Sequence, residues 1–263
     1  MGQDIRLLVR TDDAGSSWSS NMGCLKACTE GIGRSVEVMM PGPWVCHAAE
    51  LFNAHPEIDI GVHLTLTSEW DAIKWRPLVT APSIVGQDGN FLPLLTPRAG
   101  DTRPSLAQAN WSIDDIQREF RAQIVLCLSM FENVSHVSSH MIRHFKDFDP
   151  EVGAIISDLC EEFGLANDAF GYDLPRIQGF PSFPRQTDLR IVAFETELSA
   201  LSEGTYIFID HPACPSAELN ATGHEGYRDV AADRVTCLET LTNPALKRRI
   251  AELGIKLISY KDL

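Results

Sequence analysis

Short runs of aliphatic and β-branched residues alternate along the chain with longer stretches whose apolar residues recur every three to four positions. The short runs are typical of strands, and the longer period is typical of amphipathic helices. Strands are predicted at residues 5–9, 36–40, 58–66, 190–194, 205–209 and 255–259, and another ends near residue 140. Helices are predicted at residues 21–30, 44–54, 149–163 and 244–253, and another follows residue 112.

The alternation of strands and helices predicts the fold class. It is typical of a mostly parallel sheet covered by helices, so we expect an α/β protein, either a (β/α) barrel or a doubly wound sheet. A single-domain (β/α) barrel over residues 1–263, distorted or incomplete, is the simpler account, because the sequence contains no internal repeat and no low-complexity linker. Residues 68–111, rich in Pro, Gly and Trp, are predicted to form an insertion.

The helix that follows residue 112 has the strongest signal. Ser112 is a suitable amino-terminal cap, and Asp115 completes a pair that resembles a capping box. Four apolar residues then fall four apart on one face, namely Ile116, Phe120, Ile124 and Leu128. We therefore expect a long amphipathic helix that buries this face.

The charge balance disfavours some classes of function. With 22 Lys and Arg against 36 Asp and Glu, the chain has a formal net charge of −14, which nucleic-acid backbones repel unless cations are segregated on one face. The densest basic run, residues 247–249, is interpreted as the solvated face of a helix. No apolar run reaches the roughly 18 residues of a membrane-spanning helix. Residues 1–4 lack the pattern of a signal peptide, so we expect a cytoplasmic protein that binds neither nucleic acid nor membranes.

Carboxylates and imidazoles lie at or near the ends of several predicted strands. Asp12 and Asp13 follow the first strand, His63 lies in the third, His140 ends a later one and His211 follows another. In a parallel barrel the carboxyl ends of the strands form one face, and active sites are built there. We therefore expect these five side chains to converge on one pocket.

Each of these signals also has a purely structural explanation. An Asp-Asp pair before Ala-Gly is ordinary turn chemistry, and a lone histidine in an apolar strand is more often a core residue than a ligand. The spacing of His136, His140 and His144 fits one face of a helix and equally one side of a strand. Taken together, however, one Asp and two neutral imidazoles suit zinc or another divalent transition metal and leave positions open for water and substrate. A second carboxylate beside them can accept a proton from water.

In their order and spacing, several segments resemble the YdjC-like carbohydrate deacetylases, which include the chitooligosaccharide deacetylases. The matching segments cover nearly the whole chain and are Asp12-Asp13-Ala14-Gly15 with Asn21, Gly61-Val62-His63-Leu64-Thr65-Leu66, Asp88-Gly89-Asn90-Phe91, the segment with His136, Ser139, His140 and His144, His211-Pro212, and residues 242–260.

The resemblance implies a barrel-like fold and one divalent metal ion held by Asp13, His63 and His140, zinc in the first place, with magnesium, manganese or cobalt as alternatives. It also implies removal of an N-acetyl group from an N-acetylated mono- or oligosaccharide, with Asp12 as the general base on the attacking water. His211 is our candidate for the acid that protonates the departing amine. A homodimer is one possible assembly, and the sequence leaves the oligomeric state open.

The sequence departs from the family pattern at three positions. Ser138 stands where the family usually has Asp, Ile142 where it has a middle His, and Ala14 where it has an aromatic residue. A serine at 138 removes a carboxylate that could orient a metal ligand, and such partners typically change metal affinity or activity by about 10- to 100-fold. Two alternative functions stay open, a metal-dependent hydrolase of another bond, such as a phosphoester or a different amide, and a non-catalytic carbohydrate-binding relative.

Two tryptophans follow the strand that carries His63. Trp70 and Trp75 could stack on a sugar ring, and ordinary loop packing explains them at least as well. Neither is therefore assigned to the site.

Overall fold

The computed structural model describes residues 4–168, 173–180 and 185–263, and its strands form one parallel sheet. The strands are β1 (Ile5–Ala14), β2 (Ser35–Val38), β3 (Asp59–Leu64), β4 (Val134–Ser139), β5 (Ala166–Asn167), β6 (Gly204–Asp210) and β7 (Lys256–Ile258). They lie in the order β5-β4-β3-β2-β1-β6, and β7 pairs with the first half of β1. This arrangement confirms the predicted α/β class and an incomplete barrel.

Helices surround the sheet. They are α1 (Trp18–Thr29), α2 (Val45–Asn53), α3 (Ile113–Met130), α4 (Pro150–Phe163), α5 (Thr187–Ser199), α6 (Ala217–Asn220), α7 (Val230–Leu241) and α8 (Pro244–Glu252). No helix within the described ranges has the length and apolar content that crossing a membrane requires.

Alternation along the strands separates an apolar face from a polar one. In β3, Ile60 and Val62 belong to the main hydrophobic core, whereas Asp59, Gly61 and His63 occupy the alternate positions on the other face. β1, β2 and β4 alternate in the same way, so their polar side chains share that inner face, and the buried ones are Arg10, Asp12, Ser35, Glu37, His136 and Ser138. The half-barrel therefore encloses a network of buried charges.

The caps of two helices test the predicted boundaries. α4 follows the prediction, because the Asp149 carboxylate accepts a hydrogen bond from a backbone N–H of the first turn (2.8 Å) and the helix ends at Gly164, which has a φ of 68°. α3 also begins after Ser112, but the predicted capping-box pair is wrong. The insertion supplies better donors, since Asp115 accepts hydrogen bonds from the backbone N–H and the hydroxyl of Ser83 (3.0 and 2.7 Å).

One predicted strand is also wrong. Residues 190–194 lie within α5, although their apolar and β-branched side chains favour a strand locally. Arg190, Phe194 and Leu198 recur at helical spacing and are all buried, so tertiary packing decides in favour of the helix. The sequence pattern also gave no prediction for α7 or for the two-residue strand β5.

The insertion is fastened to α3 beside the end of β3. The buried carboxylate of Glu119 accepts hydrogen bonds from the backbone N–H groups of Leu78 (2.9 Å) and Val79 (3.2 Å). One turn further along α3, the Gln123 amide bonds both the N–H and the C=O of Thr65 (2.9 and 2.8 Å). These contacts fasten both the insertion and the segment that follows β3 to α3.

Candidate active site

A β-bulge in β1 turns two neighbouring carboxylates toward one imidazole. The pairing of β1 with β2 runs in register through Thr11 and resumes one residue out of step at Ala14. Asp13 lies in this bulge with a φ of 73°. Bulges re-aim side chains and are over-represented next to active sites. As a result, one oxygen of Asp12 and one oxygen of Asp13 each lie 3.7 Å from Nε2 of His63.

Asp13, His63 and His140 form a buried cluster whose ligand atoms all lie within 4.8 Å of one another. Oδ1 of Asp13 lies 3.7 Å from Nε2 of His63 and 3.2 Å from Nδ1 of His140. Within the described ranges this buried oxygen accepts no hydrogen bond. Buried polar atoms are rarely left without a partner. One carboxylate oxygen together with two imidazole nitrogens is a typical set of ligand atoms for a divalent cation. The residues present therefore fit a metal ion such as zinc.

Charged partners engage the outer atoms of Asp13 and His140. Arg234 in α7 donates from Nη2 to Oδ2 of Asp13 (2.7 Å), and Nε2 of His140 donates to Oε2 of Glu69 (3.2 Å). Burial raises the pKa of Asp13, but Arg234, His211 and His140 together outweigh it and bring this pKa well below its usual range. Burial lowers the pKa of His140, but Glu69 and Asp13 outweigh it and raise this pKa to about 10. A cation entering the cluster therefore meets an ionised carboxylate and must displace a proton from His140.

Asp12 is held by a bidentate ion pair. Arg10 donates from Nε to Oδ1 of Asp12 (2.8 Å) and from Nη2 to Oδ2 (3.0 Å). Its Nη1 donates to Oδ2 of Asp168 (2.9 Å) and to the hydroxyl of Tyr260 (3.2 Å). Burial lowers the pKa of Arg10, but the surrounding acidic groups, Asp12 foremost, together outweigh it and raise this pKa. Bidentate pairing fixes both position and orientation of the Asp12 carboxylate.

His211 follows β6 and reaches the same site from the opposite side of β1. Its side chain is 39% exposed, and its Nδ1 lies 3.4 Å from Oδ1 of Asp210. Burial lowers the pKa of His211, but the negative charges of Asp13 and Asp210 outweigh it and raise this pKa. A protonated imidazole that reaches solvent can deliver a proton and recover it.

A cleft of about 410 Å³, a volume typical of small-ligand sites, joins these groups. Its lining includes all five predicted site residues, Asp12, Asp13, His63, His140 and His211. Trp70 also lines the cleft, with its ring stacked on His224 at a centroid distance of 5.9 Å. Trp75 instead packs edge-on against His140 (6.4 Å) and donates from Nε1 to the carbonyl of Thr67 (2.6 Å).

The other two histidines of the predicted series have different surroundings. His136 donates from Nε2 to Oε1 of Glu37 (2.7 Å), and its ring stacks on Tyr260. His144 lines the cleft and is only 7% exposed, yet neither of its ring nitrogens has a hydrogen-bond partner within the described ranges. Burial lowers the pKa of His144, so it is a neutral imidazole that can donate one hydrogen bond and accept another. Of the three, His140 alone joins the cluster around Asp13.

Four charged residues around the site were not predicted from the sequence, namely Arg10, which holds Asp12, and Glu37, Glu69 and Arg234. Glu37 interrupts the apolar strand β2, and a charge in a strand that is otherwise buried is a signal that could have singled it out. Glu69 lies in the insertion and Arg234 in the unpredicted helix α7, where the local pattern does not mark them. Only their tertiary contacts assign them to the site.

Comparisons with known proteins agree with this architecture. A family model described as YdjC-like protein matches residues 6–252. A carbohydrate deacetylase from Geobacillus stearothermophilus is 31% identical over 261 residues, which cover 97% of this chain and 96% of that protein. A chitooligosaccharide deacetylase from Yersinia enterocolitica is 28% identical over 270 residues, which cover 97% and 98% of the two chains.

A solved structure shares the fold. The crystal structure of a candidate cellobiose-phosphate cleavage protein from Enterococcus faecalis V583 matches with a TM-score of 0.76 and 20% identity, covering 98% of each chain. The family model and the aligned relatives extend over nearly all of the sequence. The chain therefore belongs to the YdjC-like protein family.

Proposed function

We propose that this protein is a metal-dependent hydrolase that removes N-acetyl groups from amino sugars or N-acetylated oligosaccharides. The observation that carries the proposal is the juxtaposition of Asp12, fixed by Arg10, with the buried cluster of Asp13, His63 and His140 in one cleft. The names of the relatives, carbohydrate deacetylase and chitooligosaccharide deacetylase, support the same reaction and substrate class. We propose further that residues 1–263 act as one deacetylase domain.

Asp13, His63 and His140 would hold the metal ion, with zinc as the first candidate. Such an ion polarises a carbonyl group as a Lewis acid and makes nearby water more acidic. Three protein ligands would leave positions on such an ion for water and substrate, which is typical of catalytic rather than structural sites. Magnesium, manganese and cobalt are alternatives that the same oxygen and nitrogen donors accept.

The protein's own groups carry the proton transfers. Asp12 accepts the proton of the water that attacks the acetyl carbon, and Arg10 keeps its carboxylate in place on that side of the cleft. The C–N bond then breaks, and His211 delivers a proton to the departing amine, so the products are acetate and the free amino sugar. His211 suits this role because its raised pKa leaves it protonated and its partial exposure allows reprotonation.

Trp70 and His144 are proposed to contact the sugar. Trp70 offers a stacked aromatic surface in the cleft, and the two unpartnered nitrogens of His144 can bond sugar hydroxyls or the acetyl group. The substrate then satisfies polar atoms that have no partner among residues 4–168, 173–180 and 185–263.

The proposal is tested by acetate release from a panel of small N-acetylated sugars. Metal-stripped protein is assayed alone and with zinc, magnesium, manganese or cobalt, and His140→Ala serves as the control that should not respond to added metal. Metal-dependent release from wild type supports the deacetylase. Metal demonstrably bound without release from any sugar contradicts it and favours hydrolysis of another bond or a non-catalytic binding protein.

A further inference from the structure

The hydroxyl of Ser138 bridges a proposed metal ligand and a buried carboxylate. Oγ of Ser138 lies 2.8 Å from Nδ1 of His63, and it donates a hydrogen bond to Oε2 of Glu37. A serine hydroxyl has one proton, so a hydroxyl that donates to Glu37 must accept from the N–H at Nδ1 of His63. The lone pair of His63 is then on Nε2, the nitrogen that faces Asp13.

Glu37 is built into the sheet. Its side chain is fully buried, and Oε1 accepts from Nε2 of His136 (2.7 Å) and from the hydroxyl of Ser35 (3.3 Å). Glutamates are almost never fully buried unless they are paired. Glu37, Gly61 and His136 lie side by side on β2, β3 and β4, and a Cβ at Gly61 would lie only 2.1 Å from Oε2 of Glu37. The glycine therefore makes room for this carboxylate.

We propose that Glu37 is a positioning residue for His63, acting through the Ser138 hydroxyl to fix the tautomer and ring orientation of this metal ligand. Although position 138 is a serine, His63 is thus linked to a carboxylate, that of Glu37 on the neighbouring strand β2. Metal-ligating histidines usually donate their second N–H to such a partner, which raises their basicity as ligands. The inference rests on the proposed metal site, and its test separates the two.

Metal affinity is the first readout. Ser138→Ala removes the bridge, Glu37→Gln removes the charge, and Ser138→Thr keeps a hydroxyl. The first two variants should bind zinc about 10- to 100-fold more weakly than wild type in a chelator competition, and Ser138→Thr should stay close to wild type. Ser135→Ala is the matched control. The Ser135 hydroxyl lies 2.8 Å from Nδ1 of His136, the other partner of Glu37, and is not part of the link between Glu37 and His63.

A double-mutant cycle distinguishes a relay from two independent structural effects. If Glu37 acts through Ser138, the double variant Glu37→Gln/Ser138→Ala should bind zinc with about the same affinity as whichever single variant binds it more weakly. Additive losses, or a loss in Ser135→Ala equal to that in Ser138→Ala, would overturn the proposal. If Glu37→Gln does not fold, Ser138→Ala with the Ser138→Thr rescue carries the test.

The tautomer of His63 is a readout that needs no metal. Nitrogen NMR of ¹⁵N-histidine-labelled, metal-free protein should show His63 protonated at Nδ1 in wild type and redistributed between both nitrogens in Ser138→Ala. Unchanged tautomer populations would contradict the relay even if metal affinity fell. A wild-type protein that binds no divalent ion would instead defeat the proposed function, and the tautomer result would still decide the relay.

Discussion

Replacing Gly61 by Ala tests whether the buried carboxylate network occupies the space that the structure assigns to it. The new Cβ would lie 2.1 Å from Oε2 of Glu37 and 2.5 Å from Nε2 of His136, whereas Cβ contacts under 3.0 Å are essentially never seen. Both side chains are fully buried on the inner face of the sheet, so the carboxylate must withdraw by about 1 Å and lose its alignment with His136.

The expected magnitude combines two effects. Overpacking a buried site costs about 1–3 kcal/mol, and weakening a hydrogen bond between charged groups costs about 1.5–3 kcal/mol more. We therefore expect the free energy of unfolding of Gly61→Ala to fall by about 3 kcal/mol or more, or about 6–12 °C in Tm for a chain of this size. If the space were free, Ala would instead stabilise a strand position by about 0.4–1 kcal/mol, because it restricts the unfolded chain.

Urea and thermal unfolding of the metal-free protein measure this difference. Gly86→Ala is the matched control, because its Cβ would meet no atom closer than 3.1 Å, the Asp88 side chain, and would otherwise make only ordinary contacts beyond 3.4 Å. Zinc affinity of Gly61→Ala should fall as well, since the network behind His63 is displaced. An unchanged or higher Tm for Gly61→Ala would refute the reasoning.

Three further predictions concern other buried groups, two of which line the cleft. The pKa of metal-free His140 is about 10, so its imidazole is protonated at pH 7.5. Metal binding should therefore release about one proton, and metal affinity should rise as the pH rises toward 10. Calorimetry in buffers of different ionisation enthalpy measures the number of protons released, which Glu69→Gln should reduce. Glu119→Ala removes the acceptor of the backbone N–H groups of residues 78–79 and one partner of the buried Gln123 amide, and it should cost about 2–4 kcal/mol in urea unfolding, while a change below about 1 kcal/mol would show that water replaces the carboxylate. His144→Ala should raise KM for the sugar at least about tenfold with metal affinity unchanged, and an unchanged KM would remove His144 from the substrate site.

Much of the fold could be predicted because the strands keep their period and the helices carry explicit stop signals. Gly164 and Asp149 bound α4 where the sequence predicted. The strand predicted at residues 190–194 failed because β-branched residues also occupy α5, where burial of Arg190 and Phe194 on one face decides the structure. The predicted capping pair of Ser112 and Asp115 is wrong because the Asp115 carboxylate instead accepts hydrogen bonds from Ser83, which is distant in sequence.

The predicted site residues all reach the cleft because the carboxyl ends of parallel strands share one edge. What the sequence could not supply is the set of partners that tunes them. Arg234 and Glu69 meet their ligands only after α7 and the insertion have packed over the sheet. The departure at Ser138 could be seen in the sequence, but its compensation by Glu37 depends on strand register.

The most direct test of the central claim measures metal binding and turnover separately, in one variant of the proposed base and one variant of a proposed metal ligand. Asp12→Asn keeps the shape of the side chain and lies outside the cluster of Asp13, His63 and His140, so it should bind metal with wild-type stoichiometry while kcat for acetate release falls by about 10²- to 10⁴-fold. His140→Ala should lose the metal itself. Full turnover by Asp12→Asn, measured with bound metal quantified in the same sample, would contradict the account.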